Sequence, residues 1–152
     1  MRPDNMDFDL MKPYLTDTIP WIKDSDVNVD IFEERHVKLS VPVSEKHMNH
    51  VGYVYAGTHF MLMELAGAAL YLATYGFQKF VPITKGINIK YTKPANTDLF
   101  CELSISKENA DKMIAPVADR GKGDWILELE TMDSNRDVVS SAVCNYYLIP
   151  FQ

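Results

Sequence analysis

One glutamate stands alone in the most apolar stretch of this chain. Glu64 is the only side chain charged at neutral pH between Phe60 and Lys79. On a helix its neighbours would be Phe60, Met61, Gly67 and Ala68, none of them polar. Burying a carboxylate is expensive unless it is paired or hydrogen-bonded. An acid in such a place is a candidate base or nucleophile. The competing reading makes Glu64 a narrow solvent-facing edge, because glutamate is seldom fully buried. The apolar neighbours deprive that reading of its solvated face, and both stay open. Upstream lies His47-Met48-Asn49-His50-Val51-Gly52-Tyr53-Val54-Tyr55-Ala56-Gly57, which ends where the helix begins. The first N–H groups of a helix lack backbone partners and carry partial positive charge. A polarised carbonyl or oxyanion placed there is stabilised without any side chain. Ala56 and Gly57 are small enough to let one approach. Taken alone, Gly57 is simply a permissive helix cap.

Other groups carry weaker signals. His47, His50 and His59 raise the question of a metal, but no cysteine or carboxylate sits at ligand spacing, so no metal is expected. Lys90 and Lys93 suit an anionic ligand or plain solvation equally. Arg120 and Lys122 read as solvated charge. Ser140-Ser141 has neither nucleophile-elbow glycines nor a recognisable His or Asp context, which argues against a serine hydrolase. Tyr146-Tyr147 reads as strand packing. Cys101 and Cys144 are too few for a disulfide framework and read as free thiols of a reducing compartment.

These residues need a scaffold. Residues 58–75 read as a helix with no polar stripe, hence buried all round, and Gly76 stops it. The small run Ala66-Gly67-Ala68-Ala69 allows close approach of a sheet or a second helix. Odd positions from Val27 to Val43 are apolar, the period of strand, with a turn or bulge at Glu33-Glu34-Arg35. Alternation returns at 87–91, 99–106, 125–132 and 138–149, with a hairpin loop at 133–137. A short helix is expected over 5–16, a loop over 16–26 with Trp21 capping a core edge, and a helix over 108–120 broken or kinked at Pro116. One long helix, four or five strands and no βαβ rhythm predict an α+β fold with an antiparallel sheet. The predicted organisation is an N-terminal helix and loop extension, 1–26, before a single domain, 27–152.

Composition removes several classes. A chain of 152 residues fits one domain that needs neither metal nor disulfide for its core. Hydrophobic residues make up 47% and charged residues 24%, as in globular proteins. A net charge of -6 offers no basic surface for nucleic acid. The apolar stretch around Glu64 is too short to span a bilayer, and the N-terminus has no signal-peptide pattern, so a soluble, cytoplasmic protein is expected.

Taken in order, Asn49, Gly52, Ala56-Gly57 and Glu64 resemble the hotdog-fold acyl-CoA thioesterases, above all the PaaI-like members and their uncharacterised relatives. Asn49 precedes Ala56 by seven positions and Glu64 follows it by eight, as in that family. The segment Gly86-Ile87-Asn88-Ile89-Lys90-Tyr91-Thr92-Lys93-Pro94-Ala95 also looks like the family's strand on the coenzyme A side. The resemblance covers about residues 27–149. It departs from the family at Tyr55, where histidine is common, and at Glu64, where PaaI-like members usually carry aspartate.

The resemblance implies a curved antiparallel sheet wrapped around one long helix. It implies an acyl-CoA or acyl-carrier-protein thioester as substrate, with coenzyme A part of that substrate and no separate cofactor. Catalysis would fall to Glu64, Asn49, Ala56 and Gly57, and substrate contacts to Gly52, Tyr55, His59, Lys90 and Lys93. It further implies a homodimer joined at its sheet edges, or a dimer of such dimers, with sites at the interface. Two alternatives share these residues. One is acyl-thioester binding without hydrolysis. The other is a dehydratase or hydratase, against which Asn49 stands where that chemistry needs histidine.

Overall fold

The computed structural model describes residues 7–77 and 79–151. Two short helices come first, α1 (Phe8–Asp17) and α2 (Pro20–Asp24). The strands β1 (Asn28–Glu33) and β2 (His36–Val41) follow, then a 3-10 turn at Glu45–His47. The long helix α3 (Ala56–Tyr75) precedes β3 (Phe80–Tyr91) and β4 (Leu99–Ser104). Helix α4 (Lys107–Arg120) and the strands β5 (Gly123–Met132) and β6 (Val138–Pro150) complete the chain.

All six strands form one antiparallel sheet in the order β1-β2-β4-β5-β6-β3. The sheet curves around α3, which packs against β2, β3, β4, β5 and β6. Alternation explains which face turns inward. Along β5, Trp125, Leu127, Leu129 and Thr131 are buried while Ile126, Glu128 and Glu130 are exposed. The core is made where those residues, with Val37, Leu39, Val41, Cys144, Tyr146 and Leu148, meet Leu62, Met63, Leu65 and Leu70 of α3. Gly76 ends α3 at φ 71°, a left-handed backbone that favours glycine.

Several expectations change. The sheet has six strands rather than four or five, because the alternation from Val27 to Val43 divides into β1 and β2. β3 is also longer than expected, beginning at Phe80, well before the alternation at Ile87. A register shift between Thr84 and Gly86 breaks the period there and hid the strand's first half. The segment expected to be loop contains α2, which Pro20 starts from its first position. Trp21 does not cap the core; it is 57% exposed. α4 runs continuously through Pro116. α3 starts at Ala56, two residues early. The expected 5–16 helix is α1, apart from residues 5 and 6, which lie outside the described residues. The interruption at Glu34 and Arg35 is a turn between β1 and β2, with Arg35 at φ 60°.

Candidate active site

The loop before α3 is built by its own polar groups. The Asn49 side-chain oxygen accepts from the N–H groups of Val51 and Tyr53, at 3.0 Å each. Gly52 takes φ +83°, which lets the loop reverse, and Met48 bridges Val54 across it. His47 anchors the loop from below. Its Nδ1 accepts from the Ser44 N–H at 3.0 Å, so Nε2 carries the proton and donates to the Ser25 carbonyl at 2.7 Å. The His47 carbonyl accepts from Tyr55 N–H (2.8 Å) and from the Thr58 hydroxyl (3.2 Å). One buried histidine therefore ties the end of α2 to the start of α3.

That start is uncapped. Tyr55 occupies the N-cap position and its side chain makes no capping bond. Thr58 N–H turns back to the Tyr55 carbonyl at 2.9 Å. Among the described residues nothing accepts from the N–H groups of Ala56 and Gly57. Two aromatic rings flank them. The Tyr91 hydroxyl donates to the Ala56 carbonyl at 3.0 Å. The Tyr55 ring lies on Gly57, where an added Cβ would stand 2.5 Å from Cε1.

Glu64 lies two turns further along the same helix face, half-buried. It is neither a free surface charge nor an orphan: Thr84 of β3 donates its hydroxyl to Oε1 at 2.6 Å. Tyr146 of β6 donates to the Glu64 backbone carbonyl at 2.7 Å. Gly67 makes this approach feasible, because a Cβ there would sit 2.0 Å from the Tyr146 hydroxyl. Tyr146 thus does more than pack its strand. Neither it nor Thr84 is legible as a site residue in the sequence, since both reach Glu64 from distant strands.

The remaining candidates divide. His59 is only 3% exposed. Its Nδ1 lies 2.9 Å from the hydroxyl of the fully buried Ser140, and its ring meets the Tyr91 ring edge-on at 5.4 Å. Burial lowers its pKa to about 4, so the ring is neutral at pH 7. Ser140 does have a histidine partner, then, contrary to expectation, but the pair is enclosed and among the described residues no acid completes it. Lys93 is bound to Asp137, with Asp133 also near at 3.9 Å. Lys90 points to the opposite face of the sheet. There it lines a groove of about 1220 Å³ with Lys38, Arg136, Glu102, Glu128 and Glu130. Within one chain the structure brings together Asn49, Gly52, Tyr55, Ala56 and Gly57, sets Glu64 two turns away on the same helix face, and leaves Lys90 on the far face. Among the described residues no three His, Cys, Asp or Glu side chains converge as metal ligands. No helix there is long and apolar enough to cross a membrane.

A single antiparallel sheet wrapped around a long central helix is the hotdog fold, and this is a hotdog-fold protein. Its sequence belongs to the family described as Domain of unknown function (DUF4442), whose model matches residues 9–148. A Pseudomonas aeruginosa protein of unknown function, described as a probable thioesterase, is similar throughout. It has 28% identity, TM-score 0.88, and coverage of 96% of this chain and 97% of that one. A Haemophilus influenzae thioesterase shares the fold at 10% identity and TM-score 0.73, over 96% of this chain and 92% of its own. A Staphylococcus aureus thioesterase does so at 18% identity and TM-score 0.69, over 86% and 98%. No curated protein matches the sequence.

Proposed function

We propose that this protein is a thioester hydrolase acting on an acyl-CoA or acyl-carrier-protein thioester. The observation that carries the reading is the pairing, on one face of α3, of an uncapped helix start with a half-buried glutamate held by Thr84. The thioester carbonyl sits on the N–H groups of Ala56 and Gly57, which stabilise the oxyanion as it forms. Glu64 takes a proton from water as that water adds to the carbonyl carbon. The C–S bond then breaks, the proton passes to the departing sulfur, and a carboxylic acid and a thiol leave. Asn49 orients the water or the carbonyl with its side-chain amide, while its oxygen holds the loop. Coenzyme A enters as part of the substrate, which makes the cytoplasm the natural setting. In the Staphylococcus aureus neighbour a glutamine and a glutamate have each been replaced by alanine. The two stand as far apart in its sequence as Asn49 and Glu64 do here.

Glu64 lies about 10 Å along the helix from Gly57, at 1.5 Å per residue. That is far for one carboxylate to serve a carbonyl held at the start of its own helix. A second copy, joined through the β3 edges, would supply the acid to the first copy's helix start. The reading therefore includes a homodimer, and admits a dimer of dimers. The test is hydrolysis of an acyl-CoA panel by the wild type and by Glu64→Gln. Turnover by the wild type and a loss of at least about 100-fold in the variant is expected. Equal rates would remove Glu64 from the mechanism. A second reading, acyl-thioester binding without turnover, has the Tyr55 ring over Gly57 in its favour. Saturable binding with no release of thiol would select it.

A further inference from the structure

Two tyrosines flank the start of α3, and they are held differently. Tyr91 is fixed at both ends. Its hydroxyl donates to the Ala56 carbonyl, and its ring rests against His59, itself held by Ser140. Tyr55 has no such support. Its side chain is 56% exposed, and among the described residues its hydroxyl has no hydrogen-bond partner. What places the ring is the bare backbone of Gly57, on which no Cβ would fit beneath it. The candidate carbonyl site thus has one rigid wall and one movable one.

We propose that Tyr55 is a specificity-determining gate that selects thioesters unbranched at the carbon next to the carbonyl. This rests on the thioesterase reading. A carbonyl oxygen accepting from the Gly57 N–H lies about 2.9 Å from that nitrogen. Its carbonyl carbon and the next carbon then come against Gly57, whose open Cα side is filled by the Tyr55 ring. The ring must swing off Gly57 to admit the group, and it stays beside it as the near wall. A CH₂ next to the carbonyl passes between that ring and fixed Tyr91. A second substituent on the same carbon meets the ring face. The ring, rather than its hydroxyl, does the selecting.

Butyryl-CoA and isobutyryl-CoA have the same atoms and differ only in branching at this carbon. If a longer chain turns over faster, the straight acyl-CoA and its 2-methyl counterpart replace them. The wild type is expected to favour the straight isomer. Tyr55→Ala should raise the branched-to-straight ratio of kcat/KM by about tenfold or more, the scale on which apolar pockets discriminate a methyl group. Tyr55→Phe should keep the wild-type ratio. Because the side chain is exposed, both variants should melt near the wild-type temperature. An unchanged ratio in Tyr55→Ala, with turnover intact, overturns the gate and leaves the thioesterase reading standing. The same holds if Tyr55→Phe relaxes the ratio as far as Tyr55→Ala. No turnover of any acyl-CoA or acyl-carrier-protein thioester by the wild type overturns both.

Discussion

His59 shows what burial does to one residue, and how that reaches the whole stability curve. The neutral ring is accommodated beside Ser140 and Tyr91; the charged ring is not, and its pKa falls from 6.5 to about 4. A depressed histidine pKa means the folded state resists protonation while the unfolded chain accepts it. The stabilising effect is therefore complete above about pH 6.5 and is lost as pH falls toward 4. The difference corresponds to about 3 kcal/mol once both states have passed their midpoints. Asp26, Asp111 and Asp124 are lowered below 3.8 by lysine partners, so their contributions fade only in more acid solution. His59→Gln, which keeps a hydrogen-bonding side chain beside Ser140, should flatten the loss of stability between pH 6.5 and 4. Urea unfolding at the two pH values measures this. An undiminished slope in the variant would mean that His59 does not titrate on unfolding in this range. Glu64 and His59 were both legible in the sequence as residues of chemical interest. Their roles part on contacts the sequence does not show. His59 meets Ser140 across 81 positions, and Tyr146 meets Glu64 across 82.

At the scale of elements, the decisive contact is the one between α3 and β6. The helix has no polar stripe, so hydrophobicity alone does not fix its rotation against the sheet. Tyr146 does so by donating to the Glu64 carbonyl through the gap at Gly67. This turns the Glu64 side chain toward Thr84 on β3. Gly67→Ala would gain about 1 kcal/mol in helix propensity. Against that gain, the new methyl group falls on a buried ring whose hydroxyl and ring carbons lie within 2.8 Å of it. Overpacking of this kind costs roughly 1–3 kcal/mol and displaces the helix. The variant should melt at a lower temperature than the wild type, and lose hydrolysis more than its residual folded fraction explains. Tyr146→Phe should lose about 1 kcal/mol, the worth of one hydrogen bond. A Gly67→Ala protein as stable as the wild type would show that the helix can shift without cost. The central helix, the β5–β6 hairpin and the small-residue run were legible because each is a local pattern. The first half of β3 was not, because a bulge breaks its period. α2 was not either, since five residues are too few to show a helical repeat.

At the scale of the whole molecule, the described residues leave one long edge unpaired. β3 has twelve residues and, among the described residues, bonds only to β6, so half of its backbone groups face outward. A long, open edge strand invites pairing with another chain, and proteins ordinarily shield such edges with charge, short length, or a covering element. β3 has lysines at 85 and 90, but Lys85 is bound to Asp124 and Lys90 lies on the outer face. Neither blocks the edge. Ile87 and Ile89 are only half-buried on the helix side, and Tyr91 is half-exposed beside the start of α3. Edge pairing by a second copy would satisfy the outward amides and cover these side chains. It would also set each copy's Glu64 face against the other's helix start, which the separation of about 10 Å along one helix calls for. The expected mass in solution is a multiple of two chains. Amide exchange is the sharper test. In an isolated chain, alternate amides of Phe80–Tyr91 should exchange within seconds to minutes while their neighbours are protected. In the edge-paired dimer all of them should be slow. A dimer whose outward β3 amides exchange freely would be joined elsewhere, and the site would then have to be completed within a single chain.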